Sequence, residues 1–190
     1  ARSINNGIDL SGEGGMTWIK KRSSTDRNVV TDTERGVTKQ IFTERNDGES
    51  TESDNITSFN NNGFSLDTDN RINESGATYA SWTFRKEPGF FDVVTYSGSG
   101  SAKTVAHSLG SVPGMIIIKC TSHSTDWAVG HRSLNSYTNF LKLNTDGAAG
   151  SSTAMFNGTA PTSSVFSVGD SDKTNESGKT YVAYLFAHDD

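Results

Sequence analysis

The sequence predicts an all-β protein made of two homologous antiparallel β-sandwich-like units that arose by internal duplication. Three observations predict it. No window of helical length carries the i, i+3, i+4, i+7 apolar stripe of an amphipathic helix. Short runs rich in β-branched and aromatic residues recur along the chain, separated by Gly, Asn, Asp and Ser clusters. And "INESGATYASWTF", Ile72 to Phe84, is written again as "TNESGKTYVAYLF", Thr174 to Phe186.

The expected strands follow in order. The first half gives 16–22 (MTWIKKR), 27–33 (RNVVTDT), 38–44 (TKQIFTE), 63–67 (GFSLD) and 78–86 (TYASWTFRK). The second gives 91–97 (FDVVTYS), 103–108 (KTVAHS), 114–121 (GMIIIKCT), 126–132 (DWAVGHR), 138–144 (TNFLKLN), 164–169 (SVFSVG) and 180–188 (TYVAYLFAH). Many short strands at close spacing indicate an antiparallel sandwich or barrel.

Aligning the halves extends the repeat. Gly15-Met16 matches Gly114-Met115, Ile19-Lys20 matches Ile118-Lys119 and Asp47-Gly48 matches Asp146-Gly147, all at an offset of 99. Phe64-Ser65-Leu66 matches Phe166-Ser167-Val168, and the Asn-Glu-Ser-Gly and Thr-Tyr pairs follow at an offset of 102. A constant spacing sustained over this length is the signature of repeated folding units. In the last strand, period-2 alternation puts Trp82 and Phe84 on one face, and Tyr184 and Phe186 likewise, and both pairs are expected to face inward. "NESG" reads as a turn, with Asn and Ser capping locally and Gly accepting positive φ. The halves differ at their starts: the second opens with a full hairpin, and the first has only "NNGIDLSGEGG" before its first strand, so its hairpin is missing or upstream. Glu87-Pro88-Gly89 ends a strand and marks the junction. The expected units are 1–87 and 88–190; one fused sandwich fed by both halves is the alternative.

Composition narrows the function classes. The chain has 190 residues and a net charge of −5, with acids and bases scattered. That argues against a nucleic-acid footprint, which needs a basic face. No apolar run approaches the ~20 residues of a membrane helix, so membrane insertion is not expected. Cys120 is the single cysteine. It ends an apolar run and is expected to be buried and inert. The chain begins at Ala1 without Met or a signal-peptide core, which suggests a processed product or a piece of a longer polypeptide.

Three groups of residues could carry chemistry. Asp67 and Asp69 in one half, and Asp170 and Asp172 in the other, form D-x-D pairs that could offer oxygens to Ca²⁺. Neither continues into an EF-hand loop, and Asp also sits in such turns for conformational reasons. "DWAVGHR" places Trp127 near His131 and Arg132, an aromatic with polar neighbours that could bind a sugar face; Trp127 could equally fill a core. The copies disagree here and around Asp32 to Arg35, which makes both regions candidates for recognition. "SGSGSA" joins two strands rather than a strand and a helix, so it is not a hydrolase elbow, and no nucleophile set emerges. No enzyme is expected.

The stretches "GGMTWIKKRSS", "DTERGVTKQ", "FNNNGFSL", "DWAVGHRSL", "LKLNTDGA", "FNGTAPTSSVFSVG", "TYVAYLFAHDD" and the segment from "GATYASWTFRK" to "SVPGMIIIK" cover nearly the whole chain from about Asp9. Together they resemble a repeat domain of unknown function found in virion proteins of tailed bacteriophages, often marine ones, where it occurs in tail fibres and other structural proteins. The resemblance implies a virion structural protein on the phage surface, in a tail fibre, spike or other appendage that attaches to the host. Capsid decoration or a glycan-binding receptor module is the alternative. It implies other virion proteins as partners, a homo-oligomer with a trimer favoured, and host surface glycan as a possible ligand. It offers no catalytic residues.

Overall fold

The computed structural model describes residues 1–134 and 137–188. The chain is nearly all β, and every strand pairing is antiparallel. It divides into two compact units. One comprises Ala1–Glu44 and Glu49–Lys86, and the other Arg45–Gly48 and Glu87–Asp190.

The first unit contains β1 (Arg2–Asn5), β2 (Gly15–Lys21), β3 (Val29–Asp32), β4 (Lys39–Phe42), β5 (Ser50–Thr51), β6 (Ile56–Asn60), β7 (Gly63–Leu66), the single-turn helix α1 (Asn70–Asn73) and β8 (Tyr79–Arg85). They form a five-stranded sheet, β5-β4-β3-β2-β8, and a three-stranded sheet, β1-β7-β6. The core cluster takes Ile19, Val29 and Phe42 from the first sheet, Ile56, Phe64 and Leu66 from the second, and Leu10 and Ile72 from connecting segments. This is the two-layer arrangement in which each sheet buries one apolar face against the other.

The second unit contains β9 (Phe91–Ser97), β10 (Lys103–Ala106), β11 (Pro113–Cys120), β12 (Ala128–His131), β13 (Asn139–Phe140), β14 (Gly150–Ser151), the single-turn helix α2 (Thr153–Phe156), β15 (Val165–Val168) and β16 (Thr180–Ala187). The main sheet runs β12-β11-β16-β9, accompanied by the pairs β10-β15 and β13-β14. Ile116, Ile118, Cys120, Ala128, Tyr181, Ala183 and Leu185 share one face of the main sheet. They pack with Val105, Phe166, Val168, Met155 and Phe156 from β10, β15 and α2.

Matching residues of the two halves do the same structural work. Lys20 Nζ donates to the Asp26 carbonyl at 2.5 Å, and Lys119 Nζ donates to the Thr125 carbonyl at 2.9 Å, so each lysine closes the loop after its strand. Arg22 N donates to Thr78 O at 2.7 Å and Thr121 N to Thr180 O at 2.8 Å. The Asn73 amide donates to the Asp67 carbonyl, and the Asn175 amide donates to the Gly169 carbonyl at 2.5 Å. Gly76 and Gly178 adopt φ of +78° and +74°, the left-handed region that a side chain disfavours.

Two expectations need correction. The opening hairpin of the first unit was expected to be missing or upstream, but β1 stands in the place of its second strand, pairing with β7 (Arg2 opposite Leu66) as β10 pairs with β15 (Lys103 opposite Val168). The polar "RSIN" gave no strand signal; backbone pairing to Phe64 and Leu66 overrides its weak propensity. Trp82 was expected to face inward with Phe84, yet it is 50% exposed, whereas its counterpart Tyr184 is 2% exposed. β8 is an edge strand and β16 is not, so the same alternation meets solvent in one unit and cover in the other.

Candidate functional site

Trp127 leads into β12 and is 1% exposed. Its indole Nε1 donates to the Arg45 carbonyl at 3.0 Å, and its ring stacks with Tyr184 at a centroid distance of 6.5 Å. It is an anchor of the second unit and presents no face to a sugar, which corrects the expectation of an exposed aromatic there. His131 ends β12 half-buried, and its Nδ1 accepts the Ser133 N–H at 3.1 Å. Arg132 is exposed and lines a cleft of about 540 Å³ with Val112, Pro113, Tyr137 and His188. The strand that separates Trp127 from Arg132 leaves one in the core and the other at the surface.

The Asp residues are held by protein groups. Asp69 caps α1 through the Arg71 N–H at 2.8 Å, and its carboxylate is gripped by Arg71 Nε at 2.9 and 3.0 Å and Nη2 at 2.8 Å. Asp172 is exposed and meets Lys173 Nζ at 3.1 Å and Ser171 Oγ at 3.2 Å. Asp67 is half-buried and Asp170 sits on an exposed turn. No grouping of three or more His, Cys, Asp or Glu that could hold a metal ion occurs among the described residues. Asp69 and Asp172 thus fit the conformational reading of the D-x-D pairs: their carboxylates meet turn groups and neighbouring bases, whereas a hard cation site converges six to eight oxygens on one point.

The Asp32–Arg35 region is also structural. Asp32 is fully buried, and Arg35 Nε contacts its Oδ2 at 2.6 Å while Nη1 reaches Glu49 Oε2 at 3.3 Å. Cys120 lies in the core with its Sγ 2.9 Å from His123 Nδ1, and His123 Nε2 stands 3.3 Å from Glu176 Oε2. A thiol, an imidazole and a carboxylate thus fall in line, but the thiol is closed to solvent.

Lys119 is fully buried and donates to the carbonyls of Cys120, Thr125 and Asn46 at 2.9, 2.9 and 3.3 Å. Burial disfavours its ammonium form and pulls its pKa down to about 8.

The feature left at the surface is one the sequence did not single out. Trp82 on β8 lies directly across from Trp18 on β2, with ring centroids 6.0 Å apart and planes tilted by 59°. Such a tilted pair is a favourable aromatic geometry. Ser81 and Thr83 lie on the opposite face of the sheet, where the Thr83 hydroxyl accepts from Asn6 Nδ2 at 2.9 Å. An aromatic pair with a half-exposed ring can stack on an apolar ring face or a sugar.

Taken together, fold and site define an all-β protein whose matching residues hold turns and loops, and which exposes one tryptophan, Trp82, on an edge strand. The chain belongs to the family described as domain of unknown function DUF7483, whose model matches residues 3–190. No curated protein and no solved structure matches it.

Proposed function

We propose that this chain is a non-enzymatic structural protein of a bacteriophage virion, built from two copies of one folding unit and mounted on a tail fibre, spike or other surface appendage that contacts the host. The observation that carries the reading is Trp82, half exposed on the edge strand β8 and in tilted contact with the part-buried Trp18 of β2. Two adjoining large aromatics, one of them half exposed, supply the start of a contiguous apolar patch, the kind of surface that marks interaction sites. The resemblance of segments throughout the chain to phage virion repeats supplies the setting, and homotrimeric assembly among other virion proteins fits it. The test is immunogold electron microscopy of purified particles with antibodies to this chain. Label at the tail supports the appendage reading, label over the head supports capsid decoration in its place, and particles without label overturn both.

The same observation favours a second reading, binding of host surface glycan by the Trp82–Trp18 platform. A glycan array probed with the full chain and with Trp82→Ala tests it: binding lost in the variant supports it, and no binding by either overturns it.

A further inference from the structure

Among the described residues no strand pairs with the outer edge of β8, whereas the matching edge of β16 is paired with β9. In the second unit β9 runs antiparallel along β16, with Phe91 opposite Phe186 and Ser97 opposite Thr180. The first unit ends its sheet at β8. The two strands correspond residue by residue, since Thr78-Tyr79 and Phe84 recur as Thr180-Tyr181 and Phe186 at one offset of 102.

Backbone alternation identifies the groups left over. Lys86 N donates to Gly14 O at 3.0 Å and Arg22 N to Thr78 O at 2.7 Å, so the even-numbered residues of β8 face β2. Along an antiparallel strand successive residues direct their N–H and C=O to opposite sides. Tyr79, Ser81 and Thr83 therefore aim theirs at the open edge. In the second unit the equivalent Tyr181, Ala183 and Leu185 give these groups to β9, as Gly98 N to Lys179 O at 2.7 Å and Ala187 N to Phe90 O at 2.9 Å fix the phase. No strand of the described residues pairs with β8 on that side.

We infer that β8 is a docking edge for an extended strand of another polypeptide chain, laid antiparallel in the register that β9 takes on β16. The inference rests on this pairing geometry and is independent of the virion reading. Side chains define the guest. On the face of Trp82 it carries an apolar residue, as Val93 of β9 does beside Tyr184. On the opposite face Ser81 and Thr83 stand where the second unit has Ala183 and Leu185, so the guest can carry polar residues there, as β9 carries Asp92 opposite Leu185. An alternating apolar–polar segment satisfies both faces. Addition of a strand to an open edge draws affinity from main-chain hydrogen bonds and specificity from alternate side chains. The same polar substitutions suit an edge that must stay soluble until its guest arrives.

The probe is a synthetic peptide with the sequence of Phe91–Ser97, FDVVTYS, added to the full chain labelled for NMR. The expected result is saturable shift changes concentrated at the amides of Ser81 and Thr83, with a blue shift of tryptophan emission. A peptide carrying Val94→Pro lacks the N–H that would meet Ser81 and is expected to bind at least severalfold more weakly, and Trp82→Ala in the protein is expected to weaken binding likewise. Absence of saturable shifts, shifts mapping away from β8, or equal binding by the proline peptide would overturn the inference.

Discussion

The Tyr181 hydroxyl accepts the Glu176 N–H at 2.8 Å and donates to the Asp172 carbonyl at 2.8 Å. Tyr79 repeats the arrangement, accepting from Glu74 N at 2.7 Å and donating to Asn70 O at 3.0 Å. One phenol thus closes each Asn-Glu-Ser-Gly turn and fixes where the following strand begins. Tyr→Phe removes the hydroxyl and leaves a donor and an acceptor without partners. At Tyr181, which is fully buried, the expected loss is about 1–3 kcal/mol, and at the more exposed Tyr79 it is smaller because water replaces part of the bond. Urea unfolding of the two variants measures the difference.

Trp127 and Trp82 are expected to separate stability from binding. Trp127→Ala empties a buried site and removes the bond to Arg45, at a cost of about 3–5 kcal/mol. Trp82→Ala, at a half-exposed edge, is expected to shift the thermal midpoint little while it abolishes whatever the platform binds. Calorimetry paired with a binding assay on both variants checks this.

The Asp32–Arg35 pair predicts a large and asymmetric effect. Arg35→Ala strands the fully buried Asp32 carboxylate without its guanidinium, at an expected cost of about 3–5 kcal/mol. Replacing both residues by apolar ones of similar size is expected to cost less than the single change. A double-mutant cycle in denaturant measures the coupling.

Lys119 predicts a pH dependence. Its folded-state pKa of about 8 lies below the ordinary 10.5. Between those values the unfolded chain holds a proton that the folded chain has released, so stability rises with pH across that window. Below about pH 8 the burial penalty applies in full, and above 10.5 it disappears. Urea midpoints followed from pH 8 to 10.5 are expected to rise in the native protein relative to Lys119→Met, in which this slope is absent.

The β class was legible because alternation and turn residues are local signals, and most expected strands fall within a few residues of those observed. β6 (Ile56–Asn60) escaped because "ITSFN" is short and closes on a turn of three asparagines that masked its alternation. The run 138–144 shortened to Asn139–Phe140 because the ladder with Gly150–Ser151 covers only that stretch, and Leu141 adds a single bridge to Val129. The candidate site was less legible. Alternation tells which residues share a face, but cover depends on what lies beside the strand. Trp82 and Tyr184 occupy matching places in sequence, but Tyr184 has β9 beside its strand and the Trp127 ring stacked on it, whereas among the described residues the first half has no β9 counterpart beside β8, and Asn28 stands in the place of Trp127. Trp127 looked like a platform because its polar neighbours are close in sequence, yet its indole N–H finds a carbonyl eighty-two residues away.

Amide hydrogen exchange on the full chain tests whether β8 presents an open edge where β16 is closed by β9. Rapid exchange is expected at Ser81 and Thr83 and slow exchange at Ala183 and Leu185, with the two β8 amides slowed on addition of FDVVTYS. Equal protection at all four amides in the protein alone would contradict the open edge.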